Sequence, residues 1–130
     1  MREIHVSQEV KEMCIEANHF LTRDMVGALN MAADTEKNEL GKRILGQLKE
    51  NLTIAGEDMI PICQDTGMAV FFVNVGQEVH VTGGDLTDAI NEGVREGYTE
   101  GYLRKSVVSD PLLRGNTGDN TPAVIHYDIC

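Results

Sequence analysis

Gly93, Gly97 and Gly101 recur at four-residue intervals in a segment that otherwise reads as a helix. That helix is opened by Asp85 and runs towards Arg104, with Leu86, Ala89, Ile90 and Val94 as its apolar side. The interval lines the three glycines up on one face. Each costs roughly 1 kcal/mol of helix propensity against alanine, about 3 kcal/mol together. Such a deficit needs a compensating reason: close backbone approach to another helix, the commoner use, or to a ligand. In lipid the same spacing would suggest helix pairing, but Arg95, Glu96 and Glu100 exclude a membrane span.

The rest of the chain supplies partners for that helix. From Ser7, apolar residues fall at Val10, Met13, Cys14, Ala17, Phe20 and Leu21, the spacing of one helical face, while Glu9, Glu12, Glu16 and His19 lie elsewhere. Cys14 is therefore expected as a small core hydrophobe. Thr22 suits the cap of a second helix carrying Met25, Leu29 and Ala32. Asp34 or Thr35 would cap a third, with Ile44, Leu48 and Leu52 four apart. Residues 69–75, AVFFVNV, read as a strand between Gly67 and Gly76, and Val79 and Val81 extend it or begin a partner. Gly83-Gly84 breaks the pattern, 106–120 is a polar loop, and PAVIHYDI, 122–129, resumes as a strand. The expected class is α+β: an N-terminal helical group followed by strands with an intervening helix.

A chain of 130 residues is one domain in size, and residues 1–130 are read as a single domain. The run from Ala123 to Cys130 carries no polar tail, which suggests the N-terminal piece of a longer protein. A net charge of −10 argues against nucleic acid and against an anionic membrane surface. It leaves room for an anionic metabolite where a few cations are focused in a cleft. The charged stretch MREIHVSQEVKEM has no signal-peptide apolar run, and Met68–Val73 is too short to span a bilayer, so the expected compartment is cytoplasmic. Cys14, Cys63 and Cys130 form no CxxC pair, which disfavours a zinc ribbon and a disulfide framework. The four histidines show no metal spacing, and His126 within an apolar strand reads as a core residue.

Two segments are dense in short polar groups: Cys63-Gln64-Asp65-Thr66-Gly67, and Arg114 to Thr121, RGNTGDNT. Turn chemistry alone can produce either. Both adjoin strands, which favours a site on loops held by a scaffold. On local pattern Cys63 is an inert thiol, a nucleophile needing a distant His80 or His126, or one thiolate of a metal or iron–sulfur site.

The motifs IPICQDTG (60–67), NEGVREGYTEG (91–101) and EGYLRKSVVSDPLLRGNTGDNTPAVIHYDI (100–129) resemble the class I fumarate hydratase and L-tartrate dehydratase family, specifically its N-terminal part or alpha subunit. The likeness covers essentially the whole chain. It implies a hydro-lyase with an oxygen-sensitive 4Fe–4S cluster, held by three cysteines, whose open iron acts as a Lewis acid on malate or tartrate. On this likeness Cys63 is a cluster ligand, Gln64 a substrate-contacting amide and Asp65 the acid–base carboxylate, also in contact with substrate. Arg104 is a clamp for a substrate carboxylate, a task suited to its guanidinium fork. Arg114 and the NTGDN loop are family-typical and shape the site. The other two cluster cysteines are expected beyond residue 130, with Cys14 and Cys130 assigned to neither. A C-terminal domain or separate beta subunit is then the partner, a four-carbon dicarboxylate the substrate, and the full enzyme an oligomer. The piece alone is expected to be inactive. Fumarate hydration to malate is the first reading and tartrate dehydration the alternative. A non-catalytic domain that binds small acids or a partner without the cluster is the reading from another class.

Overall fold

The computed structural model describes residues 4–130, so the first three residues of the charged N-terminal stretch lie outside it. Its elements run α1 (Val6–His19), α2 (Arg23–Thr35), α3 (Glu39–Asp58), β1 (Val70–Val75), α4 (Leu86–Glu100) and β2 (Val124–Ile129). The expected α+β class is observed. The two strands pair in parallel, Val70 opposite Val124 and Val75 opposite Ile129. Parallel neighbours need a long crossover, and α4 lies within it.

The glycine face of α4 packs on α1. A Cβ added at Gly93 would collide with the Ser7 carbonyl and lie 2.7 Å from Val10 Cβ; one at Gly97 would lie 2.9 Å from Cys14 Cβ and 3.0 Å from the Lys11 carbonyl. At Gly101 it would meet Ile15 Cγ1 at 2.9 Å. No side chain fits in these gaps, so the choice between helix packing and a ligand is settled for packing. The core grows around this contact: Val10 and Cys14 of α1, Ile90, Val94 and Tyr98 of α4, then Ala69 and Leu103. Phe71, Val73 and Ile125 close it from the sheet. On the other sheet face, Phe72 and His126 stack with ring centroids 5.0 Å apart.

Several expectations are corrected. His126 is exposed rather than core, whereas His19, expected off the buried stripe, is 1% exposed with Nδ1 2.6 Å from the Ile15 carbonyl oxygen. Met13 and Phe20, expected inside, are each 48% exposed. The stripe that α4 covers is Val10 and Cys14, because the glycine contact decides which face of α1 is buried. Asn38 caps α3: its side chain accepts N–H bonds from Leu40 and Gly41, while Asp34 and Thr35 close the last turn of α2. Val79 and Val81 form no strand; Val79 N–H donates to Gly76 O in a turn. Helix α4 stops at Glu100, four residues short of Arg104, with Gly101 as its cap. The expected start of α4 is observed, Asp85 accepting from the Asp88 N–H at 3.1 Å. Helices α2 and α3 pack on each other, yet no residue of α2 is buried and Met25, Met31, Ile44 and Leu48 remain exposed. Among the described residues no helix is long and apolar enough to cross a membrane.

Replacing Gly93 by Ala should destabilise the protein by about 1–3 kcal/mol, because overpacking against the Ser7 carbonyl outweighs the gain in helix propensity. Gly46→Ala, in α3 with nothing within 4 Å of the new methyl, should stabilise by up to about 1 kcal/mol. Urea unfolding of the two variants beside the parent protein checks the opposite signs.

Candidate functional site

The two polar segments meet. Asn120, fully buried, takes a left-handed backbone (φ 63°) that asparagine tolerates better than most residues. Its Oδ1 accepts from the Ser106 N–H at 2.6 Å and the Val107 N–H at 2.9 Å, and its Nδ2 donates to the Gly67 carbonyl at 3.1 Å. One side chain thus bonds the NTGDNT loop, the segment after α4 and the end of the cysteine loop. Thr66 makes a second clasp. Its hydroxyl accepts from the Arg104 N–H at 2.9 Å and lies 3.2 Å from the Arg104 carbonyl, to which it donates. From α4, the Tyr98 hydroxyl donates to the Thr66 carbonyl at 3.2 Å, and burial of that phenol raises its pKa. A neutral phenol keeps the proton this bond requires.

These clasps leave a cavity of about 430 Å³ lined by Ile60, Pro61, Cys63, Gln64, Thr66, Tyr102 and Arg104. Three of the sequence-predicted site residues, Cys63, Gln64 and Arg104, are brought together here. Asp65 is exposed and does not line the cavity; its N–H lies 3.5 Å from Cys63 Sγ. Among the described residues no carboxylate pairs with Arg104, although the chain carries 21 acidic residues. A guanidinium left free beside a cavity can pair an incoming carboxylate bidentately. No histidine lines the cavity, so the nucleophile reading that needs His80 or His126 beside Cys63 has no base. Arg114 lies outside it, its N–H held by the Asp110 carbonyl.

The family model described as fumarate hydratase (Fumerase) matches residues 7–130. The chain belongs to the fumarate hydratase family. It is 35% identical over 129 residues to a Methanocaldococcus jannaschii protein provisionally assigned as the alpha subunit of L(+)-tartrate dehydratase, covering 95% of this chain and 45% of that one. It is 38% identical over 94 residues to the anaerobic class I fumarate hydratase of Escherichia coli K12, covering 71% of this chain and 17% of that one. The L(+)-tartrate dehydratase alpha subunit of the same organism is 34% identical over 104 residues, covering 78% of this chain and 34% of that one. The chain therefore spans less than half the length of these family members.

For an iron–sulfur cluster, the described residues offer one exposed thiol beside the cavity, Cys63. Cys14 is buried in the core, where desolvation pushes its thiol up to about 11 and so favours the uncharged form, unsuited to a ligand. Cys130 follows β2, its N–H donating to the Val75 carbonyl. Among the described residues no three His, Cys, Asp or Glu side chains are grouped to hold a metal ion. Cys63 has the chemistry of a single ligand to such a group, and the described residues do not group others with it.

Sequence reasoning missed four roles that build this site: Tyr98, Thr66 and Asn120 as ties, and Tyr102 in the cavity wall. Gly101 was the available signal for Tyr102, since a glycine at the end of a periodic run marks a helix stop. Reading α4 on to Arg104 concealed it.

Beside Asn120, Asp119 anchors the loop to α4: its carboxylate accepts from the Thr121 N–H and hydroxyl and, at 2.9 Å, from Arg95 Nε. The Thr121 N–H lowers its pKa most, burial opposes, and the Thr121 hydroxyl and Arg95 add, holding it at about 2 against 3.8. This folded value lies below the unfolded one. The stabilisation is therefore complete above about pH 4 and is lost as pH falls towards 2. Asp119→Asn should cost about 1–2 kcal/mol at pH 7, allowing for screening at a side chain 28% exposed. Urea titrations at pH 7 and pH 3 should show the difference from the parent narrowing at the lower pH.

Proposed function

We propose that this chain is the cysteine-bearing N-terminal part of an iron–sulfur hydro-lyase that interconverts fumarate and malate in the cytoplasm. The observation that carries the reading is the cavity that gathers an exposed thiol, an amide and an unpaired guanidinium on motifs of the fumarate hydratase family. Arg104 pairs one substrate carboxylate, and the Thr66 clasp on its main chain fixes where that carboxylate sits. Gln64 offers both donor and acceptor to the substrate's polar groups. Asp65 is next to Gln64 in the chain but outside the cavity lining formed by these residues alone. It is the carboxylate the family likeness assigns to take the proton from the carbon beside the one bearing hydroxyl and to return it in hydration. The hydroxyl leaves from the neighbouring carbon, so the elements of water are lost and a double bond forms. Cys63 is one ligand of a 4Fe–4S cluster, which when bound supplies a Lewis acid that eases departure of the hydroxyl.

The other two thiolates lie further along the full-length chain than residue 130, and a C-terminal domain or separate beta subunit is the partner, in line with relatives more than twice as long as the matched segment or named as alpha subunits. The full enzyme is an oligomer. Among the described residues all three cysteines are free, which suits a reducing compartment. Tartrate dehydration is the second reading, favoured because relatives named as tartrate dehydratase alpha subunits align over 95% and 78% of this chain.

The test is anaerobic turnover by the full protein with its partner. L-Malate should give fumarate faster than L-tartrate gives oxaloacetate; the reverse order selects the second reading. Cys63→Ser should abolish activity, and Arg104→Lys should raise KM about 10-fold or more through loss of the bidentate fork. A parent protein inactive on both acids would leave the non-catalytic reading in place.

A further inference from the structure

The end of α4 is closed by two bonds, Leu103 N–H to the Tyr98 carbonyl at 3.1 Å and Tyr102 N–H to the Thr99 carbonyl at 3.4 Å. This is the Schellman pattern, whose first residue past the helix cap takes a left-handed backbone and is usually glycine. Here that residue is Tyr102, at φ 55°, while a glycine stands one position earlier. A bulky residue in this conformation is an outlier that surrounding structure must sustain. Packing among the described residues does not supply the compensation: Tyr102 is 85% exposed. Tyr102 instead lines the cavity with Cys63, Gln64 and Arg104. The residue before the lining pair Ile60-Pro61 shows the same departure, Met59 ending α3 at φ 51°. Two helix ends that would be relaxed by glycine thus flank one cavity.

We propose that Tyr102 is a specificity-determining residue of this site, its phenol O–H donating to the carboxylate of a four-carbon dicarboxylate that Arg104 pairs. The inference rests on the hydro-lyase reading for its substrate class. The conformational strain is the cost of projecting an aromatic ring and a hydrogen-bond donor over the cavity. A role in helix capping would favour glycine, and a role in the core would bury the ring.

Tyr102→Gly and Tyr102→Phe, made in the full protein with its partner, separate these roles. The readouts are KM and kcat with L-malate, the dissociation constant of the unreactive dicarboxylate succinate by calorimetry, and Tm. Tyr102→Gly should raise KM and the succinate constant about tenfold with little change in kcat, while Tm holds or rises as the strain is relieved. Tyr102→Phe should weaken both about threefold, reporting the lost hydroxyl. Unchanged KM and succinate binding in Tyr102→Gly overturns the proposal. So does a fall in Tm in step with affinity, which would mark the ring as a packing element. A parent protein that neither turns over malate nor binds succinate overturns the hydro-lyase reading and this inference with it; an active parent with an unaffected Tyr102→Gly overturns the inference alone.

Discussion

The contact between α1 and the glycine face of α4 is the constraint from which the rest follows. With no side chains at Gly93, Gly97 and Gly101, the two backbones approach until Val10 and Cys14 lie against α4 itself. Dispersion and burial at that distance offset the helix propensity the glycines forfeit. Close approach also fixes the rotation of α4. Ile90, Val94 and Tyr98 are then directed into the core, each no more than 2% exposed. Because α4 lies in the crossover between two parallel strands, the same contact holds the sheet to the helices.

Its consequence for the site runs through Tyr98. That residue is anchored in the core by its ring, and its hydroxyl reaches the main chain of the cysteine loop. Thr66 and Asn120 complete a frame in which side chains bond the backbones of neighbouring segments. Such bonds position loops without consuming the polar side chains that a ligand would use. Cys63, Gln64 and Arg104 remain free at the cavity as a result. In a protein of net charge −10, an unpaired guanidinium beside a thiol is a local reversal of sign, suited to drawing an anion into a cleft.

The sequence revealed the elements better than their environments. The glycine interval disclosed close packing because backbone approach is almost the only reason to accept its cost, and strand composition located β1 and β2 to within two residues. Apolar periodicity on α2 and α3 gave helices correctly but not burial. Met25 and Ile44 show the same pattern as core residues and lie exposed, since periodicity records which face is apolar and not whether anything covers it. His19 and His126 exchanged environments for a related reason: residue type and periodicity do not record what covers a face, and His126 lies with Phe72 on the sheet face turned away from the core. The cysteine motif was legible through its resemblance to a family. The ties made by Asn120 and Thr66 were not, because each joins segments far apart in the chain and asparagine and threonine in loops ordinarily signal turns.

The central claim is that Cys63 is one ligand of a cluster completed outside this segment. Iron and acid-labile sulfide per chain, after anaerobic reconstitution, test it most directly when measured on residues 1–130 alone and on the full protein with its partner. The account requires about four of each in the complete assembly and no stable cluster in the segment alone. Four in the segment alone would make Cys14 or Cys130 a ligand and contradict the packing assigned to them. None in either would remove the cluster and leave a cavity that binds acids without catalysing their hydration.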